Sequence, residues 1–207
     1  MSSARFTLAV ALVAAALVAS ASTAGAVRSS PERLQLSSQV REAVLAIAGP
    51  PVRIRCSVRS SDAGVTEALG HANWDQSLIE LAPRICRNAN ALQTAPARPY
   101  SGASFAQALA LLVVVHEAVH LSRYEGHTDE ALTECRAIQL VREAAVRIGT
   151  DDAIARALGH EALRFDARLP GPGDWRVGLH EIPSYHSPDC YDGGPLDIHP
   201  QSSDWPN

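Results

Sequence analysis

His116 and His120 stand four residues apart with a carboxylate between them, in the stretch His116-Glu117-Ala118-Val119-His120. On a helix, positions i and i+4 share a face, so both imidazoles can hold one Zn2+. Glu117 then lies beside the ion, placed to take a proton from a water that the ion activates. Two ligands and a base on one turn of helix make up most of a hydrolytic zinc site. The chemistry expected of them is cleavage of a peptide bond, with Glu117 as general acid/base.

A catalytic zinc takes three protein ligands and keeps one position open. The third must come from downstream, where His127, Glu130 and Glu134 are available. His127 falls one residue later than the last histidine of an HExxHxxGxxH pattern, and Arg123 stands where that pattern has glycine. The two glutamates lie beyond the Gly126 turn, one helical turn apart on one face of the next helix. If that hairpin bends near residues 126–127, equal rise along both helices sets Glu134 level with the metal and Glu130 one turn nearer the bend. The expectation is therefore His116, His120 and Glu134 as ligands. Glu130 is expected to orient a ligating histidine, with the exchanged roles as the alternative.

His116-Glu117-x-x-His120 followed by Glu134-Cys135-Arg136-Ala137 resembles the gluzincin metallopeptidases, particularly their minimal members. In these a Glu-x-x-Ala on the next helix supplies the third ligand. The neighbourhood from Asp129 to Cys135 is also similar to secreted bacterial zinc-peptidase-like proteins. The resemblance covers mainly residues 77–149. It implies a zincin-like fold, and an edge strand at Ser77–Leu81 that takes an extended peptide by strand addition.

The elements that must position these residues read as an α+β domain. Ser30-Pro31-Glu32 starts a helix that Gly49-Pro50-Pro51 ends. Val52–Val58 alternates apolar and polar residues as a half-buried strand does, and Val65–His71 and Ser77–Leu81 are shorter strand candidates. Pro83–Leu92 reads as a short helix carrying Cys86. Ser104-x-x-Gln107 looks like the capping box of the helix that bears the zinc motif, expected to run to Tyr124. Its apolar run Phe105–Val115 is about a dozen residues, short for a membrane span, and reads as a core helix. Thr128 is expected to cap the next helix, which Gly149 ends, and Thr150-Asp151-Asp152 opens another that closes near Phe165. The expected division is residues 1–26 as leader, 27–169 as the zincin-like domain, and 170–207 as an irregular tail wrapped on it.

The leader follows from Arg5, the apolar run Phe6–Val18 and the small residues up to Ala26, the pattern of a secretory signal peptide. An uncleaved leader would be a membrane anchor. An exported chain with four cysteines, Cys56, Cys86, Cys135 and Cys190, suggests two disulfides. Cys56–Cys86 and Cys135–Cys190 are favoured, the second because it would pin the tail to a central helix. Tyr185 and His186, brought across the cleft by that bond, are the preferred donors to an oxyanion; Tyr124 and His127 are other candidates. Trp74, near the candidate edge strand, reads as a core residue, with the lining of a substrate pocket as the alternative. The net charge of −4, with arginine as the only basic residue type besides histidine, offers no basic stripe for nucleic acid. The expected partner is a peptide or protein substrate. A domain that binds zinc or a cell-envelope partner without turnover has the same motif.

Overall fold

The computed structural model describes residues 34–57, 69–123, 128–167, 176–177, 180–181, 185–202 and 204–206. Residues 1–26, expected to be a leader, the Ser30–Glu32 helix start, Tyr124 and His127 lie outside the described residues. Ser37 caps the first described helix, α1 (Ser38–Ala48), its hydroxyl accepting the Val40 amide. Leu34–Ser37 are not helical, so this helix begins later than the sequence suggested. Gly49, at φ 78°, ends α1 in a backbone state that side chains resist, and Pro50-Pro51 bar its continuation.

Three short strands follow: β1 (Arg53–Arg55), β2 (Gly70–Asn73) and β3 (Leu78–Leu81), in the order β1-β3-β2. β1 runs parallel to β3 and β2 antiparallel to it. The strand expected at the edge is therefore the central one. Leu78, Ile79 and Leu81 are buried, and a strand this apolar belongs where it is covered on both sides. Among the described residues β2, with glycine, histidine, alanine and asparagine, is hydrogen-bonded on one side only and packs on the zinc-motif helix.

α2 (Pro83–Thr94) follows, tied to the end of β1 by the Cys56–Cys86 disulfide. α3 (Gly102–His120) carries the zinc motif. Its cap is Ser101, whose hydroxyl accepts the Ser104 amide, and not Ser104. The Ser104 hydroxyl donates to Glu161 instead. The Gln107 side chain secures the preceding loop, accepting from the Ala97 amide and donating to the Ala95 carbonyl. α3 is apolar and long enough to cross a membrane. In this fold, however, it is enclosed by α1, α2 and the two helices that follow. Leu111, Leu112, Val115 and Val119 lie in the one hydrophobic cluster with Ile138, Val141 and Leu158.

α3 stops at His120, four residues before the expected end. α4 (Glu130–Ile148) starts from Asp129, not Thr128, with the Asp129 carboxylate accepting the Leu132 amide. Asp151 caps α5 (Asp152–Asp166) in the same way. A two-stranded ribbon, β4 (Arg176–Val177) with β5 (His180–Glu181), precedes the last segment. The described part of that segment, from Tyr185, is attached to α4 and α5. Cys190 is bonded to Cys135 on α4, and Gln139 accepts from the Ile198 amide and donates to the Leu196 carbonyl. Arg142 and Arg156 both pair with Asp204. The chain is therefore mixed α+β, with five helices and a three-stranded sheet among the described residues.

Candidate metal centre

The facing ends of α3 and α4 set five ionisable side chains against one another. His116 and His120, one turn apart on α3, bring their Nε2 atoms within 3.0 Å. Glu130, the first residue of α4, places Oε2 3.0 Å from His116 Nε2 and 3.3 Å from His120 Nε2. Glu134, one turn further along, accepts from His116 Nδ1 at 2.6 Å, on the opposite edge of the ring. His116, His120 and Glu130 form a group that could hold a metal ion.

The two glutamates thus stand in the reverse of the expected roles: Glu130 joins the converging atoms and Glu134 backs a histidine. The reason is the length of the helix connection. With α3 ending at His120 and α4 starting at Glu130, the two helix ends are equally far in sequence from position 125 instead of 126–127. Moving the bend by about one and a half residues shifts every facing pair by about three, which replaces residue 133 by Glu130 opposite His120.

The donor set suits a divalent cation. Atoms held about 2.0–2.2 Å from a tetrahedral zinc stand roughly 3.3–3.6 Å apart. Separations of 3.0, 3.0 and 3.3 Å need to open by only a few tenths of an ångström. Charge points the same way. Burial opposes a charge on His116, but hydrogen bonds to Glu130 and Glu134, with the charges of Glu134 and Glu117, outweigh it and raise its pKa to about 10. Burial would also raise Glu130, yet its hydrogen bonds to His116 and His120 prevail and hold it at about 2. The carboxylates around His116 thus favour a positive charge at this point of the fold.

Glu117 is buried at the same end of α3. Burial pushes its carboxyl up to about 7, against the lowering pull of His116 and His120. β2 crosses over it so closely that a Cβ on Gly70 would lie 2.6 Å from Glu117 Oε1. A side chain at position 70 would force that carboxylate to shift.

Tyr185 also reaches the centre, its ring centroid 5.7 Å from that of His116. Burial, reinforced by Glu130, Glu117 and Glu134, raises its phenol to about 12, so it remains a proton donor at neutral pH. His186 is partly exposed and hydrogen-bonded through Nδ1 to Asp166 Oδ2 at 3.0 Å. Asp166 was not singled out from sequence, although a signal was there. It is a buried acid in the last turn of α5, where the helix dipole disfavours negative charge. Its carboxyl is raised by burial, against the pull of His186 and helped by the charge of Glu134. Trp74, expected in the core, is 50% exposed. Its indole Nε1 donates to the His120 carbonyl at 2.8 Å, and its ring stands edge-on to the His120 imidazole.

Both expected disulfides are present. Cys135 adjoins Glu134, and Cys190 follows Tyr185 by five residues, so the second bond ties the tyrosine-bearing segment to the helix that faces the histidines. The chain matches no protein-family model, no curated protein and no solved structure.

Proposed function

We propose that this chain is an exported zinc peptidase of the zincin type. The observation that carries the reading is the convergence of His116 Nε2, His120 Nε2 and Glu130 Oε2 on one point, with the Glu117 carboxyl buried beside them. Two imidazoles and one carboxylate are a donor set that zinc favours and that leaves a position open. Zinc, when bound there, polarises a carbonyl and makes water a stronger nucleophile at neutral pH.

The chain's own groups do the rest. Glu134 accepts the Nδ1 proton of His116 and so keeps Nε2 as the metal-facing nitrogen. Glu117 takes a proton from the attacking water as the oxygen bonds to the peptide carbon, then delivers it to the amine nitrogen as the C–N bond breaks. The Tyr185 phenol donates to the oxyanion of the tetrahedral intermediate. Asp166 holds His186 alongside as a second donor. An extended peptide pairs with β2, in the place that the resemblance implied for Ser77–Leu81. Export is supported by the two disulfides, which oxidising compartments favour, and by the composition of residues 1–26.

Metal analysis of purified wild-type and His120→Ala protein, joined to a peptide-library cleavage assay, tests the reading. The wild type should carry about one zinc per chain and cleave peptides; the variant should do neither. Zinc bound without turnover of any peptide would favour the non-catalytic domain. Hydrolysis that survives loss of the metal would overturn the mechanism.

A further inference from the structure

We propose that the cleft beside His120 is a specificity pocket, and that it takes a bulky apolar side chain, aromatic or leucine-like, from the peptide substrate. The inference rests on the peptidase reading and adds a substrate class to it. The cleft encloses about 720 Å³ and is lined by Ile47, Pro51, Val52, Trp74, His120 and Arg123, among others. That volume lies within the range of about 300–1,000 Å³ common to ligand pockets.

Position, shape and charge each contribute to the argument. His120 belongs to the metal-binding group and also forms part of the cleft wall, so a chain whose scissile bond lies at the metal has a neighbouring side chain within reach of the pocket. Trp74 is fastened at one edge, through its indole N–H to the His120 carbonyl, yet half its surface stays open. A large ring fastened at one edge and half exposed forms a stacking wall at small entropic cost. The far wall, from the end of α1 through the prolines to Val52, is mainly aliphatic. No carboxylate is among the described residues lining the cleft, whereas Arg123 is, and its charge disfavours a lysine or arginine side chain there.

The test uses zinc-loaded protein and a peptide series varied at one position at a time through Phe, Leu, Ala, Lys and Glu, read as kcat/KM. At one position beside the cleaved bond the wild type should prefer Phe and Leu over Ala by about 10–100-fold. Trp74→Ala should reduce that preference to within about threefold, whereas Trp74→Phe, which keeps a ring in the wall, should retain most of it. Both variants lose the same indole N–H, so any disturbance of His120 lowers metal content or overall rate in both and leaves the contrast between them intact. No preference in the wild type, an undiminished preference in Trp74→Ala, or a preference for Glu at that position would overturn the proposal. Should no peptide be cleaved, calorimetric binding of the same series to the wild type decides. Tighter binding of Phe peptides that depends on Trp74 keeps the pocket and removes the peptidase reading. Absence of binding overturns the pocket.

Discussion

Two segments of this chain open with the same three residues, His116-Glu117-Ala118 on α3 and His160-Glu161-Ala162 on α5. Both glutamates are buried, at 7% and 4% exposure. Glu161 accepts from the Tyr100 amide and the Ser104 hydroxyl at the N-terminal end of α3, where the helix dipole and free amides favour an anion. Arg164, which stands where the zinc motif has its second histidine, lies over the Tyr100 ring. That copy is a structural lock. Glu117 occupies the opposite end of the same helix, where the dipole disfavours it, among two imidazoles and two further carboxylates. The comparison teaches that a His-Glu pair acquires its role from what faces it. Where the surroundings agree with local rules the pair stabilises; where they conflict the carboxyl is pushed up, for Glu117 to about 7.

The comparison can be broken most sharply by removing the carboxylate from each copy in turn. Glu117→Gln should lower peptide hydrolysis by about 10²–10⁴-fold at unchanged zinc content and Tm. Glu161→Ala should leave activity per folded molecule intact and remove about 1–3 kcal/mol of stability by stranding the Tyr100 amide and Ser104 hydroxyl, read by denaturant unfolding. Equal activity losses in the two would mean that the difference in surroundings decides nothing.

The roles of the two facing glutamates can be sharpened next. Zinc affinity measured by competition with a chelator should fall by more than about 100-fold in Glu130→Gln and by about 10–100-fold in Glu134→Gln, because one loses a ligand and the other a ligand's support. The reverse order would return Glu134 to the metal. A smaller effect is expected of Gly70→Ala, whose new methyl must displace the Glu117 carboxylate. Hydrolysis should drop by roughly tenfold with zinc retained, since misplacement of a catalytic group by about an ångström is felt at the barrier.

The smallest effect lies on the exposed side of α5. Hydrogen bonds from Arg142 and Arg156 hold the Asp152 carboxyl below its ordinary value of 3.8. A carboxyl lowered in the folded state contributes stability above that ordinary value and loses it as pH falls through the lowered one. Asp152→Asn should therefore reduce Tm by at most about 2 °C at neutral pH, with the gap closing in acid. A gap that widened in acid would contradict the sign.

Much of the site was legible because it is local. The i,i+4 spacing of His116 and His120 follows from helical period, and the helix itself from an apolar run bounded by polar residues. Asp151 at the start of α5 and Gly149 at the end of α4 were readable for the same reason. Local rules were less reliable where two neighbours could serve. Ser101 took the cap that Ser104 resembled, because the Ser104 hydroxyl had a buried partner on α5. Asp129 took the cap from Thr128, and that one-residue change at the start of α4, with the early end of α3, carried Glu130 to the histidines.

By itself, then, the sequence determined that two histidines and a glutamate share one helix face, that two glutamates on the next helix share another, and that a cysteine five residues beyond Tyr185 could tether the tail. Tertiary structure decided which glutamate meets the histidine Nε2 atoms, that Tyr185 and the Asp166–His186 pair arrive at the same end of the fold, and that Trp74 forms a pocket wall. The physical reason is range. Helical periodicity acts over one or two turns and is written in adjacent residues. The facing of two helices depends on the length of the chain between them, and the approach of distant segments depends on packing that no short stretch of sequence contains.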